Sequence, residues 1–276
     1  TASDLRNLYR IKQLNSDSEI LGIIGYPVGH SRSPLMHNTV LSLHGLNAAY
    51  LPFEVQDAGE FITDFVRPQT KKFAWNFRGL SVTIPHKLAV IPYLDSVDTT
   101  AKAIGAVNTI VINGGKLNGF NTDIVGAMKP LEELVELRDA RVAVLGAGGS
   151  ARAICYGLRQ RGANTTIFAR DMIKAAPLVE EFEARSQLLE SFTGDFDIVI
   201  NCTPIGMRHH SEGESPLKTE ALKNTTLVYD LIYTPNTTAL LCNAKEAGCQ
   251  TLGGMSMLIG QATEQLRLWM GLDASF

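Results

Sequence analysis

The stretch from Val142 to Ile154, VAVLGAGGSARAI, most constrains what this chain can fold into. An apolar run enters the turn Gly146-Ala147-Gly148-Gly149-Ser150-Ala151 and a helical pattern leaves it. Strand, turn and helix in that order predict a dinucleotide-binding unit. Gly146 allows the tight turn, Gly148 lets backbone N–H groups approach a pyrophosphate, and small Ala151 lets the helix pack close to the strand. Gly149 and Ser150 add little bulk. Glycine-rich turns also occur as plain loops, so the reading rests on the strand before and the helix after.

The length of 276 residues has room for two domains of ordinary size. A hydrophobic fraction of 45% with 19% charged residues describes a core-rich globular chain, and a net charge of −3 gives no electrostatic case for nucleic acid or an anionic membrane. Cys155, Cys202, Cys242 and Cys249 lack metal-site or disulfide-framework spacing, which fits a reduced cytoplasmic compartment. No apolar run reaches the roughly 18 residues a membrane span needs, and no signal peptide is visible.

Read in order, the chain opens with a short helical pattern through Leu5, Leu8, Tyr9 and Ile11. Ile20 to Gly25 is a buried-strand run, and Ser33-Pro34 then opens a helix as N-cap and N1, carrying Leu35, Val40 and Leu43 to the core. Tyr50 to Val55 is a second strand, Gly59 to Val66 a helix, and Leu80 to Ile84 a third strand, after which Pro85-His86-Lys87 starts another helix. This alternation implies a largely parallel sheet. A short helix from Asp98 to Ile104, a strand from Thr109 with the hairpin Asn113-Gly114-Gly115, and a helix from Ile124 towards Leu137 follow. Past the glycine turn, strands are expected at Thr165 to Phe168, Asp197 to Ile200, Leu227 to Leu231 and Gln250 to Leu252. Helices are expected at Ile173 to Arg185, Thr238 to Ala247 and Met255 to Met270. The fold class is α/β with two domains: a first one over 1–124 completed by 253–276, and a Rossmann domain over 125–252.

About 20 residues beyond the glycines, a dinucleotide fold carries an acid for NAD or a basic residue for NADP. Here Arg170 and Lys174 can clamp a 2′-phosphate, while Asp171 can instead pair with Arg170. Lys87 and Asp123 each follow a strand-like segment, and such a pair can supply a proton to a ketone oxygen that accepts hydride, or polarise it. Each also has an ordinary reading as a solvated residue. Ser31, Ser33, Thr83, Asn108, Thr122, Tyr233 and Gln261 are polar groups suited to a polyhydroxylated ligand. His30, His37 and His86 read as loop or packing residues and His209-His210 as solvated, and no zinc-ligand cluster is apparent.

Taken together, the blocks Gly29 to Pro34, Ser81 to Lys87, Gly105 to Thr109, Asn121 to Asp123, Gly146 to Arg152, Asn201 to Met207 and Gly254 to Gln261 resemble the shikimate dehydrogenase family. Leu5 to Gln13 also looks like the segment that joins a type I dehydroquinase to the dehydrogenase in bifunctional plant-like enzymes, which fits a chain beginning without Met. The resemblance implies reversible NADPH-dependent reduction of 3-dehydroshikimate to shikimate, and a plastid location if the source is plant-like. Ser31 and Ser33 would hold the substrate carboxylate with Tyr233 near it. Thr83, Asn108, Asp123 and Gln261 would bind the ring hydroxyls, and Lys87 would be the acid/base with Asp123 as partner. Cofactor contacts would come from Gly146, Ala147, Gly148, Gly149, Ser150, Ala151, Arg170, Lys174, Thr203, Leu231 and Gly254.

One segment departs from the family pattern. The usual Asn-Arg-Thr followed by a second basic residue is here Ala169-Arg170-Asp171 with Lys174, which places a carboxylate near the expected 2′-phosphate. NADP remains the expected cofactor over NAD. Two other functions stay open: a quinate or quinate/shikimate dehydrogenase using NAD, and a non-catalytic homologue that senses a metabolite.

Overall fold

The computed structural model describes residues 2–67, 75–208 and 210–273. The chain forms two compact units, Thr1–Thr122 with Ala262–Phe276, and Asp123–Gln261. The C-terminal helix is thus divided at 261/262. Of the paired histidines, His209 lies outside the described residues and His210 is exposed.

The first unit runs α1 (Ala2–Asn7), β1 (Glu19–Gly25), α2 (Ser33–Leu43), β2 (Ala48–Glu54), α3 (Ala58–Phe61), β3 (Phe77–Val82), β4 (Ser96–Val97), α4 (Thr99–Ile104), β5 (Thr109–Asn113) and β6 (Lys116–Phe120). Its sheet has the order β2-β1-β3-β5-β6-β4. Strand β1 lies parallel to β2 and β3, whereas β5 is antiparallel to both β3 and β6. The antiparallel pair follows from Gly114 and Gly115, whose φ of +56° and +76° make the two-residue turn that closes a tight hairpin.

Two expectations fail here for identifiable reasons. No helix starts at Lys87; residues 84–90 wind as turns. The Lys87 carbonyl accepts from Val107 N at 2.8 Å, so it is taken by the chain leading into β5 rather than by a helical turn of its own. In α2, Val40 is buried as expected, but Leu35 and Leu43 are 59% and 80% exposed, and the rest of the buried face is Ser33, Pro34, His37, Asn38 and Leu41. Three of those five are polar, so apolarity alone misplaces the face. Asn38 explains its own burial: its Nδ2 donates to Tyr50 O at 2.8 Å and its Oδ1 accepts from Tyr50 N at 2.9 Å, satisfying the outer side of edge strand β2.

His37 stacks on Tyr50 with centroids 4.2 Å apart and lies 5.5 Å from the Trp269 ring. Gly79 makes room for that indole, since a Cβ there would sit 2.1 Å from Trp269 Nε1, which donates to Ile110 O at 2.9 Å.

The second unit runs α5 (Asp123–Glu132), β7 (Arg141–Leu145), α6 (Gly149–Gln160), β8 (Asn164–Ala169), α7 (Met172–Phe182), β9 (Arg185–Leu188), β10 (Ile198–Asn201), β11 (Leu227–Asp230), α8 (Ala239–Glu246), β12 (Gln250–Gly253) and α9 (Met255–Met270), whose later turns belong to the first unit. All its strand pairings are parallel, in the order β12-β11-β10-β7-β8-β9. This is the doubly wound Rossmann order. Val142 to Leu145 are all wholly buried, as a strand covered on both faces requires. Helix α5 ends at Glu132 rather than near Leu137, and α7 ends at Phe182, where Glu183 turns left-handed at φ +54°. That stop frees Arg185–Leu188 to form β9, an outer strand with no buried residue and hence no apolar period to read.

Burial drives the His37 imidazole pKa down to about 3, only partly offset by a hydrogen bond with Gln265. Below about pH 6.5 the unfolded chain therefore binds a proton that the folded chain does not, and stability falls as pH drops from 6.5 towards 3. Denaturant titrations from pH 7 to 4 should show wild type losing about 1.4 kcal/mol per pH unit relative to His37→Phe once the unfolded imidazole is protonated. Parallel curves for the two proteins would contradict the buried neutral imidazole.

Candidate active site

In the first unit the chemistry-bearing residues gather beyond the carboxyl ends of β1 and β3 and before β5. Ser33 is the first helical residue of α2 rather than its N-cap, which is Arg32. The Ser31 hydroxyl does the local work instead, accepting from Ser33 N at 3.2 Å. Thr83 follows β3 directly, its N–H donating to Ile24 O at 2.9 Å. His86 anchors the turn beyond it: a ring nitrogen lies 2.6 Å from Val55 O, and because a carbonyl only accepts, that nitrogen carries the hydrogen. Between this anchor and the Val107 bond, Lys87 is held at 8% exposure.

Asn108 is buried in a polar chain. Its Oδ1 accepts from Thr122 N at 2.7 Å and Thr109 Oγ1 at 2.8 Å, and its Nδ2 donates to Thr122 Oγ1 at 3.0 Å. Gln265 Nε2 donates to Thr109 Oγ1 at 3.0 Å, while Gln265 Oε1 accepts from Ser81 Oγ at 3.0 Å, which in turn accepts from Tyr50 Oη at 2.6 Å. Sequence reasoning passed over Gln265, Ser81 and Thr109. The available signal was the spacing of four between Gln261 and Gln265, which puts both on one helix stripe.

In the second unit Asp123, nearly buried, is the first residue of α5, immediately after Thr122. One turn on, a Cβ on Gly126 would lie 2.6 Å from Met257 O and 2.7 Å from Gln261 N, so α5 and α9 meet here backbone to backbone. Asp123 stands one helical turn before this contact, and the Gln261 amide donates to Leu258 O at 3.3 Å.

The glycine turn behaves as its residues predict. Gly146 has φ +103°, and its N–H donates to Phe168 O at 2.7 Å. Gly148 has an ordinary φ of −89°, and among the described residues beyond its chain neighbours no atom lies within 4 Å of where a Cβ would sit. Neither strain nor packing in the protein demands glycine at 148, so what it admits is close approach from outside, at the positive end of α6. Ala151 is wholly buried and lets α6 sit close on the sheet, Ala147 packs against the same core, and Gly149 and Ser150 form the first turn. These residues fit a dinucleotide pyrophosphate.

Arg170 and Lys174 are both exposed at the start of α7. Asp171 does not pair with Arg170 among the contacts seen. It caps α7, its Oδ1 accepting from Ile173 N at 3.0 Å and Lys174 N at 3.3 Å, with Oδ2 at 3.9 Å from Lys174 Nζ. The carboxylate thus serves the helix start, where negative charge is favourable. At the ends of β10 and β11, Thr203 is held by Asn201, and a Cβ on Gly254 would meet Leu231 O at 2.1 Å. Tyr233 lies half-buried in the loop after β11. Among the described residues no group of three or more His, Cys, Asp or Glu could hold a metal, and no helix is long and apolar enough to cross a membrane.

A doubly wound sheet with a glycine turn beside its reversal point, in one chain with a second α/β unit bearing a buried lysine, is the architecture of a two-domain nucleotide-dependent oxidoreductase. Comparison with known proteins gives the family. Residues 23–110 match the model of the shikimate dehydrogenase substrate binding domain. A shikimate dehydrogenase (NADP(+)) of Methanococcus aeolicus is 39% identical over 268 residues, 94% of this chain and 94% of its own. A crystal structure of a shikimate dehydrogenase in complex with NADP+ superposes with a TM-score of 0.85 at 37% identity, covering 94% of this chain and 92% of that one. The chain belongs to the shikimate dehydrogenase family. A quinate dehydrogenase from Corynebacterium glutamicum in complex with NAD is also similar, at 30% identity and a TM-score of 0.81 over 94% of this chain and 95% of its own.

The two glycines should respond oppositely to alanine. Gly146→Ala forces a side chain into a left-handed backbone and should destabilise the protein by about 1–3 kcal/mol. Gly148→Ala should leave the melting temperature nearly unchanged yet weaken dinucleotide binding at least tenfold by calorimetry; unchanged affinity would remove Gly148 from the cofactor site.

Proposed function

We propose that the protein catalyses the reversible NADPH-dependent reduction of 3-dehydroshikimate to shikimate. The observation that carries this reading is Lys87: a lysine at 8% exposure, its backbone pinned by Val107 and its neighbour His86 pinned by Val55, in a unit whose other buried polar side chains, His37 and His86 aside, are hydroxyls and amides. Burial is tolerated for an ammonium that has work to do at a strand end. The first domain, 1–124 with 253–276, takes the substrate, and the second, 125–252, takes NADP.

The substrate carboxylate is received by the Ser31 and Ser33 hydroxyls, with Tyr233 near it. Ring hydroxyls fall to Thr83, Asn108, Asp123 and Gln261. The Asn108 contact comes from Nδ2, because its Oδ1 is committed to Thr122 N and Thr109 Oγ1. Lys87 holds or delivers the proton at the carbonyl oxygen, with Asp123 as the second ionisable group. NADPH, when bound, supplies the hydride. Its pyrophosphate is received by Gly146 to Ala151 and its 2′-phosphate by Arg170 and Lys174, with Thr203, Leu231 and Gly254 bordering it. Because Asp171 is engaged by the α7 backbone and faces Lys174, its charge is partly compensated, which supports NADP over NAD.

The similarity to the NAD-bound quinate dehydrogenase keeps a quinate activity with NAD as the second reading. Cys155, Cys202, Cys242 and Cys249 are all in the thiol form, which supports a reduced compartment, the cytoplasm, with a plastid in a plant-like source. The likeness of Leu5 to Gln13 to a joining segment supports a dehydroquinase domain ahead of residue 1, which sequencing the upstream coding region tests.

Steady-state assays with shikimate and quinate, each with NADP and NAD, decide the function. Shikimate with NADP should give the highest kcat/KM, and a larger value for quinate with NAD would overturn the proposal. Lys87→Ala should lower kcat by about 10²–10⁴, and Arg170→Ala should raise KM for NADP several-fold more than for NAD. Equal responses to both cofactors would clear Arg170 of the 2′-phosphate role.

A further inference from the structure

Strands β10 and β11 are apolar until their last residues, Asn201 and Asp230, which are polar and wholly buried. Asp230 accepts from three elements: from Asn201 Nδ2 at 3.0 Å and Ile232 N at 3.1 Å on one oxygen, and from Thr238 Oγ1, the cap of α8, at 2.6 Å on the other. We propose that Asp230 is the positioning residue of the dinucleotide site, acting through Asn201 to set Thr203 against the glycine-rich turn. This rests on the reading of the second unit as the NADP-binding one.

What each group can donate fixes the order of the chain. A side-chain amide can sit either way round, and its two orientations differ only in which neighbours they satisfy. A carboxylate accepts only, so Asn201 must turn its NH2 to Asp230 and its Oδ1 the other way. There Oδ1 accepts from Thr203 N at 3.0 Å and from Thr203 Oγ1 at 2.7 Å. With its hydrogen given to Asn201, Thr203 Oγ1 accepts from Ile205 N at 3.3 Å, and the threonine methyl is left facing Gly146, where a Cβ would come within 3.1 Å of it. The wall beside the glycine turn is therefore set by a chain that begins at a buried acceptor two strands away. Burial pushes the Asp230 carboxyl up to about 6, against the lowering effect of Thr238, Ile232 N and Asn201, so it is an acceptor at neutral pH.

Asp230→Asn keeps the shape but can present NH2 to Asn201, removing the preference for one amide orientation. It should raise KM for NADP about five- to twentyfold, with KM for shikimate and kcat within twofold. Thr203→Val removes the hydroxyl at the far end, and the double variant should be little worse than the worse single one, because both act on the same chain. Multiplicative effects on the NADP KM, or an equal rise in the shikimate KM, would overturn the proposal. If Asp230→Asn melts below the assay temperature, Asn201→Ser paired with Thr203→Val makes the same test. Titration of the wild type with NADPH, followed by nucleotide fluorescence, separates the two levels. No binding by wild type sinks the nucleotide reading and this inference with it, whereas equal binding by wild type and Asp230→Asn sinks this inference alone.

Discussion

The reversal of winding between β7 and β10 governs the second unit. From β7 the chain crosses one way to β8 and β9, and from β10 it crosses the other way to β11 and β12, so the connections part at the carboxyl ends of these two neighbours. A parallel sheet covered on both faces leaves a crevice only there. The glycine turn closes one side of it and the loop after β10 the other, with Gly146 and Thr203 in contact range. Whatever binds must be met by polar groups at strand ends, and a strand end inside a core can carry polar groups only if their hydrogen bonds are made locally. Asn201 and Asp230 meet that requirement for each other.

The first unit solves the same problem with neutral groups. Asn108, Thr109, Thr122, Gln265, Ser81 and Tyr50 form a continuous buried chain. Leaving any one donor or acceptor unpaired would cost about 1–3 kcal/mol, which makes the chain rigid as a set. Asn38 of α2, bonded to the outer strand β2, and the Val107 bond that denies Lys87 a helix follow the same rule of satisfying backbone groups where the sheet leaves them open.

Much of this was legible in the residues. The glycine turn, the parallel strands of the Rossmann unit and the family blocks read directly, because apolar runs and glycines are local signals. What escaped was settled by partners distant in sequence. Lys87 looks like a helix start until Val107 claims its carbonyl. Asn38, a polar residue in a helix, gives no sign of facing the core until Tyr50 is placed beside it. Arg185–Leu188 shows no period because an outer strand need not bury a face, and Asp171 reads as a rival for Arg170 until it caps α7. Gln265 and Asp230, polar and unremarkable in sequence, matter only through the hydrogen bonds they complete.

The central claim is that this scaffold moves hydride between a hydroxyl-bearing ring carbon of shikimate and NADP. Shikimate deuterated at C3, the carbon that becomes the ketone, tests it most directly. Mass analysis of the reduced cofactor should show one added mass unit, with slower turnover than unlabelled shikimate whenever hydride transfer limits the rate. Formation of NADPH without the label, or no NADPH at all from shikimate and NADP, would contradict the account.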